Sequence, residues 1–329
     1  MIAPEELEQT RKRIFFILGT SRSGSTLLQS MLNSQGDVVI PPETHFFKTN
    51  TLLENKFRED SRAEYRTKLL DFWYGHKTRI RDMRLDRDQV ERAARKLGLY
   101  RALELFTLHL TLYRVERQKT IVGEKTPSHI LHTEKILEAY PDAKIISLFR
   151  DPRAAAYSEI KAYFGSPSVV VTTRRWRAYV QKHKQLENKL PASRYMMLRY
   201  CDLVAAPEAV LNRVCRFLEI PYRDDMLWYY QRDEKGFAEG EKDWKSGTFK
   251  PIKKNKNEEW KTGLRSWQVS LVEQWAGKYL EEMGYQPHGG AMSKFRSVPW
   301  HLLDLGRSAW ADLTNARDEG YRSPAEFDR

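Results

Sequence analysis

Only two cysteines, Cys201 and Cys215, occur among the 329 residues, too few for a disulfide framework or a cysteine-rich zinc site. No apolar run approaches the roughly 20 residues of a bilayer span; the longest near the amino end is residues 14–18. Residues 1–13 alternate acid and base and lack the apolar centre of a signal peptide. Internal repeats, zinc-finger spacing and the signature of an RNA-binding sheet are also missing. These absences point to a reduced, cytoplasmic protein without a membrane span. Positive charge, by contrast, is abundant: 56 Lys and Arg against 44 Asp and Glu leave a net +12. Residues 56–117 and 240–265 hold ten of those twelve excess charges. Such an excess favours anionic ligands in general (nucleotides, nucleic acid, anionic glycans, a membrane surface) without choosing among them.

With 41% hydrophobic residues, the chain can bury a sizeable core. Short apolar strands are expected at 14–18, 38–40, 121–123, 144–149 and 195–198. Amphipathic helices are expected at 25–33, 128–139, 151–162, 172–189, 207–218 and 267–283. Strands alternating with helices imply an α/β protein of three layers, a parallel sheet with helices on both faces. Residues from about 50 to 118 break that rhythm with helix-prone stretches at 63–72, 88–96 and 99–115, read as a helical insert. Residues 236–262, rich in Lys, Gly and Trp, read as a lid loop. Trp267, Leu271, Trp275 and Tyr279 recur every four residues, as on the buried face of a closing helix. The reading is one domain over 1–285 and a tail over 286–329. The tail carries Trp300, Leu302, Leu303, Leu305 and Trp310, and is expected to pack on the domain or on a partner, which leaves oligomerisation through it open.

The first strand runs into Gly19-Thr-Ser-Arg-Ser-Gly-Ser-Thr26 and then a helix. A glycine, four residues, a second glycine and a hydroxyl pair opening a helix have the length of a phosphate-binding loop: successive N–H groups turn inward on an anion, and the helix terminus adds positive potential. The position that holds lysine in P-loop nucleoside triphosphatases is Ser25 here, which argues against ATP or GTP chemistry. Arg22 offers instead a planar donor for a terminal oxyanion. The fourth strand ends in Phe149-Arg150-Asp-Pro-Arg153. Asp151 is expected to cap a helix with Pro152 in its first turn. Arg150 at the strand end and Ser158 two turns into the helix would then converge on one anion, where parallel sheets bind ligands. Taken singly, both motifs also suit ordinary Gly/Ser turns and helix starts. A nucleotide- or nucleic-acid-binding protein and a kinase-like enzyme with a degenerate loop stand as alternatives.

Together, in this order, the motifs resemble those of the sulfotransferases that use 3′-phosphoadenosine 5′-phosphosulfate (PAPS). Arg22, Ser23, Gly24, Ser25 and Thr26 are similar to their 5′-phosphosulfate loop, and Arg150 and Ser158 match the two ligand positions of their 3′-phosphate motif. The resemblance, which covers about residues 13–285 apart from the insert, implies a P-loop-like fold. It also implies metal-independent, in-line transfer of a sulfuryl group from PAPS to an acceptor hydroxyl (carbohydrate, glycolipid, tyrosine or small metabolite), with no nucleic-acid partner. Such transfer needs a base at the hydroxyl and a cation at the departing oxygen. Glu43, in Ile40-Pro-Pro-Glu43-Thr-His45, matches the base of the branch that contains bacterial, Golgi carbohydrate and tyrosylprotein sulfotransferases. Near Phe46 and Phe47 its pKa is expected to be raised; His45 is the rival base. Lys125, in Gly123-Glu124-Lys125-Thr126-Pro127, matches the lysine that steadies the leaving group, and Glu124 beside it is expected to pair with an arginine. Arg199-Tyr200-Cys201-Asp202-Leu203 is similar to a segment whose tyrosine holds the nucleotide, although Cys201 departs from the usual acid. Lys250 lies in a segment similar to the loop that closes over PAPS. The insert cations Arg79, Arg81, Arg84 and Arg87 point to an acidic acceptor. Golgi relatives carry a membrane anchor not seen here, so a bacterial cytoplasmic enzyme is expected.

Overall fold

The computed structural model describes residues 2–49, 61–75, 79–162, 165–232, 236–237, 245–288 and 294–315. In chain order the main elements are α1 (Pro4–Arg13), β1 (Phe15–Gly19), α2 (Ser25–Asn33), β2 (Val38–Val39), α3 (Arg62–Tyr74), α4 (Arg87–Lys96), α5 (Ala102–Glu116), β3 (Ile121–Lys125), α6 (Thr133–Ala139) and β4 (Lys144–Phe149). After these come α7 (Pro152–Lys161), α8 (Val169–Lys189), β5 (Tyr195–Arg199), α9 (Tyr200–Ala205), α10 (Pro207–Leu218), α11 (Ser266–Ala276) and α12 (Lys294–Asn315).

The chain divides into two units: residues 1–149 with 182–254, and residues 150–181 with 255–329. The first holds a five-stranded sheet in the order β2-β3-β1-β4-β5, every pairing parallel. Alternation along the central strand decides its two faces. Phe15 and Ile17 enter one core with Leu28 and Met31 of α2 and Leu211 and Val214 of α10. Phe16 turns the other way, its ring 5.7 Å from Tyr140 and 6.1 Å from Phe47. With both faces apolar, all five residues of β1 are buried. The carboxyl end of β1 leads into the 19–26 loop, that of β3 ends on Lys125, and Tyr200 follows β5, so the fold delivers these residues to the carboxyl ends of the parallel strands.

α1 lay outside the sequence expectation because it is charged throughout. It is stabilised at its ends instead: Pro4 opens it, Glu5 and Glu6 sit in the first turn and Arg11, Lys12 and Arg13 in the last, each complementing the helix dipole. The insert forms α3, α4 and α5, the first held by a reciprocal Ser61–Glu64 capping box. Residues 50–60 of that insert and 238–244 of the expected lid lie outside the described residues. The helix expected over 128–139 is a 3₁₀ turn, Pro127–His132, followed by α6.

In the second unit α7 and α11 bury Ala154, Ala156, Trp267 and Leu271 with Trp260. Asp151 caps α7, accepting the Arg153 N–H at 2.9 Å. Arg153 also pairs with Asp151 at 2.8 Å and with Glu273 at 2.6 Å. The helix expected over 267–283 stops at Ala276, where Gly277 adopts φ 55°; Trp267 and Leu271 are buried, while Trp275 and Tyr279 are half-exposed. In the tail, Trp300 of α12 stacks on Trp267 at 5.1 Å. Asp304 accepts the Val169 and Val170 N–H groups at 3.1 and 3.0 Å, closing the start of α8.

Candidate active site

The loop after β1 is shaped by two left-handed residues. Arg22 has φ 63° and Gly24 φ 89°, and Gly24 caps α2. A Cβ on Gly24 would lie 2.4 Å from the Tyr200 ring. The position therefore requires glycine on two counts, backbone angle and space. Tyr200, which follows β5 two strands from β1 in the sheet, is thereby brought against the loop. Ser23 is fully buried and its Oγ donates to the Thr20 carbonyl at 2.5 Å, bracing the turn from within. Ser25 is buried and Thr26 half-buried in the first turn of α2, a nine-residue helix whose first N–H groups lack intrahelical partners.

Glu43 and Lys125 meet: Nζ of Lys125 is 2.5 Å from Oε1 of Glu43, and the lysine is wholly buried. Two further groups flank the carboxylate. Lys245 Nζ approaches to 3.8 Å and His45 Nε2 to 3.5 Å. The expectation of a raised pKa for Glu43 is overturned. Burial does push it upward, but Lys125, Lys245 and His45 together outweigh burial and hold it far below the ordinary 4.5. Burial lowers His45 to about 4, against the pull of Glu43, so its imidazole is neutral at physiological pH. Lys245 was missed by the sequence reading: a lysine among many in a basic segment carries no local mark of its partner.

Glu124 does not pair with an arginine. It points to the opposite side of β3 from Lys125, is fully buried, and accepts Thr44 Oγ1 at 2.8 Å and Thr126 Oγ1 at 2.6 Å. His129 Nδ1 lies 3.1 Å from its other oxygen. Burial would raise its pKa, but His129 and these hydrogen bonds bring it below the ordinary value.

Lys250 is exposed at the end of a 3₁₀ turn, its carbonyl accepting the Tyr229 hydroxyl at 2.8 Å. In the second unit, Arg150 is buried. Its guanidinium donates to the Lys256 carbonyl at 2.6 Å and to Asn257 Oδ1 at 3.2 Å, while its own carbonyl accepts Trp176 Nε1 at 2.9 Å. Ser158 is half-buried on α7. Of the insert cations, Arg79 and Arg81 lie 3.6 and 3.9 Å from Asp82, and Arg87 pairs with Asp71 and Glu91 at 2.6 and 2.9 Å.

A parallel sheet whose first strand opens into a glycine-turned loop and helix, with helices on its faces, defines an α/β protein of the P-loop-like class. The family model described as "Sulfotransferase family" matches residues 15–224, and the chain belongs to that family. Among curated relatives, a protein-tyrosine sulfotransferase of Danio rerio is 26% identical over 65% of this chain and 55% of its own length. An omega-hydroxy-beta-dihydromenaquinone-9 sulfotransferase of Mycobacterium bovis is 27% identical over 64% of this chain and 52% of its own length. A protein-tyrosine sulfotransferase of Drosophila melanogaster is 23% identical over 65% of this chain and 39% of its own. The matches thus span between about two-fifths and just over half of these relatives. Among solved structures, the sulfotransferase domain from the curacin biosynthetic pathway superposes with a TM-score of 0.58 at 22% identity, covering 83% of this chain and 97% of that one. The sulfotransferase domain of the Synechococcus PCC 7002 olefin synthase gives 0.56 at 21% identity, covering 82% and 96%.

Proposed function

We propose that this chain is a sulfotransferase that moves a sulfuryl group from PAPS to an acceptor hydroxyl without a metal ion. The observation that carries the reading is the Glu43–Lys125 pair at 2.5 Å, which brings together the two residues read as base and leaving-group cation. The residues fit the donor. The glycine cradle at Gly24, the first turn of α2 and Arg22, Ser23, Ser25 and Thr26 suit a 5′-phosphosulfate, Tyr200 the adenosine, and Arg150 with Ser158 the 3′-phosphate; Lys250 is assigned to the closing loop. PAPS, when bound, supplies an activated sulfuryl group on a phosphate leaving group. Glu43 takes the acceptor proton on a carboxylate oxygen. Lys125 neutralises the charge that gathers on the departing oxygen, and as it turns from Glu43 the carboxylate loses its nearest cation and gains basicity. Lys125 and Lys245 supply beside the reacting group the positive charge that a metal provides elsewhere. The acceptor reading spans carbohydrate, glycolipid, tyrosine and small metabolite. It extends to acidic acceptors if they displace the internal partners of Arg79, Arg81 and Arg87. The two free thiols accord with a reducing, cytoplasmic setting, and a bacterial source is part of the same reading.

The test is thermal stabilisation by 3′,5′-ADP (PAP, the spent donor) against 5′-ADP, with and without Mg²⁺, on the native chain and Arg150→Ala. At one hundred times its Kd a ligand adds about 2.7 kcal/mol. Stabilisation that requires the 3′-phosphate and Arg150 and ignores Mg²⁺ is expected. An equal response to 5′-ADP, or a Mg²⁺ requirement, returns the loop to kinase-like chemistry.

A further inference from the structure

Resting on this reading, we propose that Thr126, Glu124 and Thr44 form a buried brace whose function is to hold Glu43 against Lys125, which makes Glu124 and Thr126 positioning residues of the reaction.

The brace is traced bond by bond. Thr126 Oγ1 donates to Glu124 at 2.6 Å. The same oxygen accepts the backbone N–H groups of Thr44 at 3.2 Å and His45 at 3.4 Å. Thr44 Oγ1 donates to Glu124 at 2.8 Å and accepts the Phe46 N–H at 3.3 Å. Three of these bonds, from the Thr44 and His45 N–H groups to Thr126 and from the Thr44 hydroxyl to Glu124, join the segment just after Glu43 to the residues on either side of Lys125; the other two stiffen each segment within itself. The two segments need such a link. β2 ends at Val39, so Glu43 lies beyond the sheet's own ladder, and His45 turns the chain at φ 52°, a left-handed angle uncommon outside glycine.

The choice of residue supports the same conclusion. A carboxylate with no exposed surface is costly unless its oxygens are fully partnered. An apolar residue would fill the space behind β3 at less cost but could not accept two hydroxyl protons. Because side chains alternate along the strand, Glu124 braces from behind while Lys125 faces forward. His129 backs the second oxygen at 3.1 Å and packs edge-on against Phe47 at 5.3 Å, tying the brace to the same 44–47 segment.

The experiment compares Thr126→Val, which keeps shape and removes the hydroxyl, with Thr126→Ser, which restores it. Turnover is read as conversion of PAPS to PAP, with a tyrosine peptide, a monosaccharide, a long-chain alcohol or water alone as the receiving hydroxyl, so a value exists whichever acceptor is physiological. PAP affinity is measured alongside. Thr126→Val is expected to lower kcat about 10- to 100-fold, the scale of a misplaced reacting group, with PAP Kd changed less than about 2-fold, and Thr126→Ser is expected to recover most of the loss. Full turnover in Thr126→Val, or a loss that Thr126→Ser does not repair, overturns the brace. Glu43→Ala, run beside them, separates the two ideas: an active Glu43→Ala sinks the catalytic reading itself, whereas an inactive one with an active Thr126→Val sinks only the brace.

Discussion

Glu43, the proposed base, is held out of use by the residues proposed to serve it. With Lys125 at 2.5 Å and Lys245 at 3.8 Å, its carboxyl is ionised far below the ordinary 4.5. Such a group is a poor proton acceptor until the pair opens. Its contribution to stability follows the same sign. A depressed folded-state pKa gives stability that is fully present above the unfolded value and lost as pH falls through the folded one. Replacing Glu43 by Gln should therefore cost most at neutral pH, on the order of 3 kcal/mol because Lys125 is left buried and unpaired. The gap to the native chain should narrow as pH drops below about 4.5. Urea unfolding at several pH values measures this, and a gap independent of pH would show that the pair contributes nothing through ionisation. The direction of this shift was hidden in the sequence because Lys125 lies 82 residues away and Lys245 arrives from a different segment altogether; only the aromatic neighbours Phe46 and Phe47 were visible locally, and they argued the wrong way.

Elements differ in how plainly the chain announces them. β1 and β4 are short apolar runs bounded by turn residues, so their existence and near-exact limits follow from composition alone, and the parallel sheet follows from their alternation with helices. β2 has two paired residues, and α1 and the broken helix at Gly277 depend on capping and on a single positive φ, which periodicity does not report. The loop between β1 and α2 was legible in outline, but not the reason its second glycine is obligatory. That reason is the Tyr200 ring at the start of α9, 2.4 Å from where a Cβ would stand. Gly24→Ala should thus destabilise the chain by about 1–3 kcal/mol and weaken PAP binding. Part of the loss is a clash between two elements, so Gly24→Ala with Tyr200→Ala should lose less than the sum of the single changes. Strict additivity in a calorimetric double-mutant cycle would mean that the backbone angle alone demands glycine.

Across the whole molecule the excess of positive charge has a narrower meaning than its size suggests. The net +12 is concentrated in the insert and in residues 240–265, yet many insert cations are spent on neighbouring acids: Arg87 on Asp71 and Glu91, Arg95 on Glu91 at 2.6 Å. Exposed pairs of this kind contribute little energy and are screened by salt. Lys125 and Lys245, by contrast, are buried beside Glu43, where screening is weak. The two populations should separate kinetically for a small polyanion such as PAP. The long-range field accelerates encounter and is lost as the Debye length falls from about 10 Å at 0.1 M salt to about 3 Å at 1 M. Buried contacts set residence time and respond far less. Stopped-flow binding of PAP from low to high salt should therefore show a falling association rate and a nearly constant dissociation rate, with Lys245→Ala raising the dissociation rate at every salt concentration. If salt instead moved dissociation as strongly as association, the nucleotide would be held mainly by exposed charge, and the buried lysines would belong to Glu43 alone.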